Sequence, residues 1–216
     1  MVSLDPPRLR IAELEIGDDP AAWRAAGLSV DDRGIAQVST VRLRFVGNGG
    51  QRGIRRWSIA GIASATLDGL AGELDSGDAR ASHVDHANTT VLLDHIVIAT
   101  PDVQRTVDAF RAIGIEPRRE RVGGSGTAPV RQVFVRAGEV IIEIVGPPSA
   151  DERAERRSGP ARFWGLAFSA ADLDACASAL GEALGPIRDA VQPGRRIATL
   201  HHEQLDISVP VAWMSA

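Results

Sequence analysis

At 216 residues, 44% of them hydrophobic, the chain can build its own core without staples, as one large domain or two small ones. The single cysteine, Cys176, excludes an internal disulfide, and no apolar run reaches the roughly 18 residues that span a bilayer, so a soluble, reducing, cytoplasmic setting is expected. A net charge of -4 with scattered arginines leaves no basic face for nucleic acid, and because all 24 basic residues are arginine, Schiff-base chemistry is excluded.

The opening stretch MVSLDPPRLRIAELEI lacks the basic-then-apolar order of a signal peptide. Arg10 to Ile16 reads as a strand, and Asp18-Asp19-Pro20 starts a short helix that Gly27 ends. Val38 to Val46 and Ile54 to Ile62 read as returning strands, which makes residues 8 to 62 a partial module. Residues 63 to 90, rich in Asp, Ala, Gly and Ser, read as a linker of low order. His83-Val84-Asp85-His86 within it has a spacing seen in helical metal sites, but is read as solvated.

Val91 to Ala99 is an apolar run of strand length. Thr100-Pro101-Asp102 offers an N-cap and a first-turn proline for a helix carrying Val103, Val107 and Phe110, closed by Gly114. After a GGSG loop, Arg131 to Arg136 and Val140 to Val145 form a hairpin across Ala137-Gly138-Glu139. The same order recurs from residue 161 to 211. Phe163 to Phe168 reads as a strand, Ser169 to Leu184 as a helix with Gly185 in the place of Gly114, and Leu205 to Pro210 mirrors Ile142 to Pro147. Residues 91 to 148 and 161 to 211 therefore read as two copies of one unit.

Strand alternation puts His95, Val97 and Ala99 on one face of the first strand and Ile141, Glu143 and Val145 on one face of the last, so an imidazole and a carboxylate can converge. Leu93-Asp94-His95-Ile96-Val97-Ile98 and Ile142-Glu143-Ile144-Val145-Gly146-Pro147 resemble the vicinal oxygen chelate superfamily of glyoxalases, bleomycin-resistance proteins and extradiol dioxygenases, with the closest likeness to glyoxalase-like proteins of actinobacterial type. The resemblance implies an α+β fold of repeated βαβββ modules curled into a half-open barrel around a divalent metal. It implies His95 and Glu143 as ligands, with Glu143 also moving the proton. Aligning Pro210 with Pro147 adds Asp206 as a ligand, while aligning Asp172 with Asp102 puts Gly165, which has no donor, opposite His95. The partial module has Ala12 and Ser58 at the approximate ligand places.

Each of these residues also has a structural reading. His95 reads as a hydrogen-bonded core residue, Glu143 and Asp206 as solvated acids, and Gly165 as a close-packing site or a bulge. Arg131 and Gln132, with Arg195 and Arg196 at the matching place, start returning strands; an inward arginine selects an anionic substrate, and an outward one keeps the sheet edge soluble. Trp164 or Phe163 lines the pocket rim. His201 and His202 flank an exposed hairpin turn, and Cys176 packs beside Leu173 and Leu180 in the core. Function then divides between a metal-dependent lyase or isomerase on a small oxygenated molecule and a metal-free protein that sequesters a small ligand. The exposed edges of a module also suit pairing with a second copy in a homodimer.

Overall fold

A computed structural model describes residues 9–62, 64–75, 82–123, 129–148 and 158–216. Among them no helix is long and apolar enough to cross a membrane. Strand β1 (Arg10–Ile16) leads into helix α1 (Pro20–Ala25), capped by Asp19, whose carboxylate accepts from the Ala21 amide at 2.8 Å. The expected strand over Val38 to Val46 is a hairpin, β2 (Ile35–Val38) and β3 (Val41–Phe45), because Ser39 turns the chain at φ 50°. β4 (Ile54–Ala60) does not return beside β3. It runs antiparallel to β1 on the other side, with β5 (Gly72–Leu74) parallel to it, so the sheet order is β2-β3-β1-β4-β5.

The stretch expected to be a linker is built into the fold where it is described. It supplies β5, buries Leu67 and Leu70, and lets the Trp57 indole donate to the Ala65 carbonyl at 2.8 Å. His83 is exposed, but His86 is 7% exposed: its Nδ1 accepts from the Ser29 amide at 3.0 Å, so the proton sits on Nε2, which donates to the Gln37 carbonyl at 3.1 Å. Burial pushes the His86 imidazole below its ordinary value, against the opposing pull of the Gln37 carbonyl and Asp85, with His83 adding to the depression. The folded state therefore binds this proton less readily than the unfolded chain. The stability it contributes is full above the ordinary value of about 6.5 and is lost as pH falls below it. Urea unfolding midpoints should decline from pH 7 to pH 5, and His86→Phe should flatten that part of the profile; an unchanged slope would show that His86 does not set it.

The middle segment forms β6 (Thr90–Ala99), α2 (Val103–Ala112), β7 (Arg119–Gly123), β8 (Val130–Ala137) and β9 (Val140–Gly146). The cap of α2 is Asp102 rather than Thr100, its carboxylate accepting from the Arg105 amide at 2.9 Å; Thr100 instead takes the Asp102 amide. Gly114 closes this helix at φ 82°. Beyond Gly123, the GGSG loop lies outside the described residues.

The last segment forms β10 (Arg162–Ala170), α3 (Leu173–Leu180), β11 (Arg188–Asp189), β12 (Arg196–Thr199) and β13 (Val211–Ser215). Two expectations shift here. The helix is capped by Gly181 at φ 54°, four residues before Gly185. The final strand begins after Pro210 rather than ending on it: residues His202–Leu205 form a short 3-10 turn, Asp206 adopts the left-handed conformation, and the ladder to β10 starts where the Leu166 amide donates to the Pro210 carbonyl at 2.9 Å. His202 Nδ1 meets the Ile207 carbonyl at 2.7 Å in that turn.

All eight strands join in one curved sheet, β11-β12-β13-β10-β6-β9-β8-β7. Each half follows the same order outward from the central antiparallel pair β6–β10, and each first strand runs parallel to the last strand of its half. The smaller sheet packs on the larger within the same chain. Trp23 of α1 stacks on Phe45 at 4.9 Å and meets Phe168 of β10 edge-on at 6.5 Å, while Glu139, at the β8–β9 turn, accepts from the Thr40 amide at 2.9 Å. Cys176 is fully buried, and burial pushes its thiol up to about 12.

Candidate functional site

The larger sheet curls around a cleft of about 560 Å3 lined by residues of both halves, among them His95, Arg119, Phe134, Glu143, Ile197 and Met214. Cross-strand register explains the convergence. His95 lies opposite Ile141, which lies opposite Arg136; Glu143 lies opposite Phe134, which lies opposite Arg119. All of these line the cleft.

Next to His95, β6 carries a bulge: β10 pairs Ala167 with His95 and Phe168 with Leu93, leaving Asp94 as the extra residue. The bulge re-aims Asp94 so that its Oδ2 accepts from His95 Nδ1 at 2.9 Å. Behind it, Arg195 Nη1 donates to Asp94 Oδ1 at 2.7 Å and the Ser169 hydroxyl donates to the same oxygen at 3.0 Å. His95 Nε2 is thereby turned toward Glu143 Oε2, 3.6 Å away. The other Glu143 oxygen accepts from the Gln132 amide, whose own oxygen accepts from Arg121 Nε at 2.7 Å. Arg121 also lies 5.5 Å over the Phe134 ring. Burial pushes the Asp94 carboxyl up, but the hydrogen bonds from His95 and Arg195 outweigh it and hold the group at about 2.

The other candidate residues fall elsewhere. Asp206 is exposed and pairs with Arg52 at 3.0 Å, away from the cleft lining. With Asp172 equivalent to Asp102 and Ala167 to Val97, the place of Glu143 in the second half belongs to Ala212, since Val97 pairs with Glu143 and Ala167 with Ala212. Gly165 follows a second bulge at Trp164, and a Cβ there would meet the Pro210 carbonyl at 3.0 Å, so the glycine marks a close approach. Trp164 is 51% exposed and is not among the residues that line the cleft, whereas Phe163 packs edge-on against Trp57 at 5.1 Å. Arg131 pairs with Glu120 at 2.8 Å and Arg196 with Asp174 at 2.8 Å. Gln132 and Arg195 stand behind Glu143 and His95 as supports. Sequence reasoning missed Asp94, hidden by the bulge, and the lining arginines Arg118, Arg119, Arg121 and Arg136, although three of them fall within the four residues 118 to 121.

Residues 94–198 match the family model of the glyoxalase/bleomycin resistance protein/dioxygenase superfamily. This segment is a domain of that superfamily. A triple mutant of 4-hydroxymandelate synthase from Streptomyces coelicolor superposes with a TM-score of 0.64 at 10% identity, over 97% of this chain and 93% of that one, so the likeness in fold takes in both sheets. Methylmalonyl-CoA epimerase from Mycobacterium tuberculosis gives a TM-score of 0.48 at 17% identity over 62% of this chain and 93% of its own. A variant of the Streptomyces coelicolor epimerase, in complex with 2-nitronate-propionyl-CoA, gives 0.44 at 24% identity over 57% of this chain and 96% of its own. No curated protein matches the sequence significantly.

The superfamily's divalent metal can be tested against this donor set. Among the described residues, no group of three or more His, Cys, Asp or Glu side chains is placed to hold a metal ion. His95 and Glu143 provide one nitrogen and one carboxylate, while Asp94 is committed to the far side of the imidazole and to Arg195. Across the cup, Gly165 and Ala212 offer no donor. Catalytic metal sites generally take about three protein ligands, so these residues do not fit a resident ion.

Proposed function

We propose that the chain binds a small organic anion in this cleft and moves a proton to or from it, with His95 and Glu143 as the exchanging pair. The observation that supports this reading is the line Asp94–His95–Glu143, whose second gap is 3.6 Å. Asp94 accepts a hydrogen bond from Nδ1–H and sets the imidazole's orientation, leaving Nε2 and a carboxylate oxygen facing one reacting atom from adjacent strands. The lining arginines favour negative charge, whether already present on the ligand or developing on an oxygen when a neighbouring C–H bond is broken. This is the chemistry of an isomerase or lyase that draws no complete metal shell from its own side chains.

A second reading, a binding protein without turnover, is favoured by Gly165 and Ala212, which leave half of the cup without reactive groups. Proton exchange separates the two. Wild-type protein in D2O is incubated with a panel of small 2-oxo and 3-oxo carboxylates, and loss of the acidic C–H signal is followed by NMR. Exchange should be accelerated for at least one member, and Glu143→Gln should slow it by about 100-fold or more. Binding of panel members with no accelerated exchange would establish the second reading. The same preparation, refilled with Mg2+ or Mn2+ and desalted, is expected to retain less than stoichiometric metal; stoichiometric retention lost in His95→Ala would restore the metal-dependent mechanism.

A further inference from the structure

We propose that the arginine-bearing lip of the cleft binds a phosphoryl group, so that the cleft's ligand is a phosphorylated molecule with an apolar body. The inference rests on the reading of the cleft as an anion site. β7 and β8 supply Arg119, Arg121 and Arg136, and Arg118 immediately precedes β7. Arg119 lies opposite Phe134 and Arg121 opposite Gln132, on the side of the sheet that carries Glu143.

None of these side chains forms a hydrogen-bonded ion pair with a carboxylate of the described residues. Elsewhere in the same segment, Arg105 pairs with Asp68 at 2.7 Å, Arg111 with Asp108 at 3.1 Å and Arg131 with Glu120 at 2.8 Å. Among the described residues, Arg118 and Arg119 have no ion pair, Arg136 donates to the Gly138 carbonyl at 2.6 Å and has Glu139 only at longer electrostatic range, and Arg121 has a neutral amide and an aromatic face. Among the described residues, the lining thus holds four guanidinium groups against one carboxylate, Glu143, already engaged by Gln132 and His95. Like charges gathered on one lip repel one another, and an anion seated among them relieves that repulsion.

A monocarboxylate offsets one of these charges. A phosphate monoester carries about 1.5 to 2 negative charges near neutral pH and three acceptor oxygens, enough for forked hydrogen bonds from two guanidinium groups at once. Apart from His95 and Gln192, the rest of the lining is apolar, with Phe134, Val135 and Ile141 on one side and Val191, Ile197 and Met214 on the other. A phosphate ester with a small hydrocarbon or aromatic body matches both parts, and the cleft volume of about 560 Å3 accommodates it.

Isothermal titration of the full chain at low ionic strength, with phenyl phosphate and benzoate as probes, tests this directly. Phenyl phosphate should bind about tenfold more tightly than benzoate and weaken as salt is raised. The double variant Arg118→Ala/Arg119→Ala should lose about tenfold in phosphate affinity, whereas Arg111→Ala, which removes one positive charge from α2, should stay within about twofold. Equal affinity for the two probes, absence of phosphate binding, or an equal loss in Arg111→Ala would overturn the proposal. The phosphate preference is read in Glu143→Gln as well as in wild type, so its failure is distinguishable from failure of the proton-exchange reading.

Discussion

Arg195→Ala should lower the unfolding free energy by about 3 kcal/mol, because it removes one partner of a buried ion pair and leaves the other behind. Asp94 is 8% exposed, and its Oδ1 accepts from Arg195 at 2.7 Å. The guanidinium also donates to the Ser215 carbonyl at 2.8 Å and the Ser169 hydroxyl at 2.9 Å, so one side chain ties the residue just before β12 to β13, β10 and β6. The pair has an acid signature as well. Asp94 is held at about 2 in the fold against an ordinary 3.8, so its contribution is present above the ordinary value and is lost as pH falls through about 2. That limb amounts to on the order of 2 kcal/mol. In Arg195→Ala, burial is less opposed, the carboxyl titrates at higher pH, and acid unfolding should begin earlier. Urea unfolding from pH 7 down to pH 2 reads both effects, with Asp94→Asn as the variant whose acid limb is absent. A variant within about 0.5 kcal/mol of wild type at pH 7 would show that solvent replaces the guanidinium adequately.

The other large effect is expected from Trp23→Ala, at about 3 to 5 kcal/mol, the usual range for emptying a buried aromatic site. Trp23 is fully buried; it stacks on Phe45, meets Phe168 edge-on, and donates from its indole to Asp18 at 3.1 Å. Asp18 is itself fully buried and accepts from the Ser208 amide at 3.1 Å and from Arg52 at 3.1 Å. One indole therefore holds both the hydrocarbon seam between the sheets and the polar junction beside it. If the sheets unfold as one cooperative unit, Trp23→Ala lowers a single transition seen alike by far-UV circular dichroism and by fluorescence of the remaining tryptophans. Two separated transitions would show that the smaller sheet melts independently.

The parts legible in the sequence are those in which one periodicity runs uninterrupted. Arg10 to Ile16 is a strand with the expected bounds, and the hairpin across Gly138 lies where its apolar runs and turn residues place it. Alternation also explains why Ile141 and Glu143 both reach the cleft. What eluded the reading depends on departures from that period. At Asp94 a single extra residue brings neighbouring side chains together that alternation sends apart. At the C-terminal end, Pro210 looks like the stop that Pro147 is, yet it contributes its carbonyl to the first rung of β13, and the shifted register leaves Asp206 outside. The arginine lip left no periodic mark. Whether an arginine finds an acid is decided by which strands become neighbours, and that is a property of topology.

The buried thiol has a practical side. Cys176 is the only sulfhydryl in the chain, fully enclosed beside Leu173 and Leu180, and burial suppresses the thiolate that reagents attack. Toward maleimides and nitroxide labels, the folded protein therefore behaves as a cysteine-free scaffold without any engineering. A cysteine introduced at Val122 or Val191, exposed on opposite halves of the large sheet, would be the only one modified. A doubly substituted chain would carry a ruler across the mouth of the cleft, able to register whether the lips move together when a ligand enters.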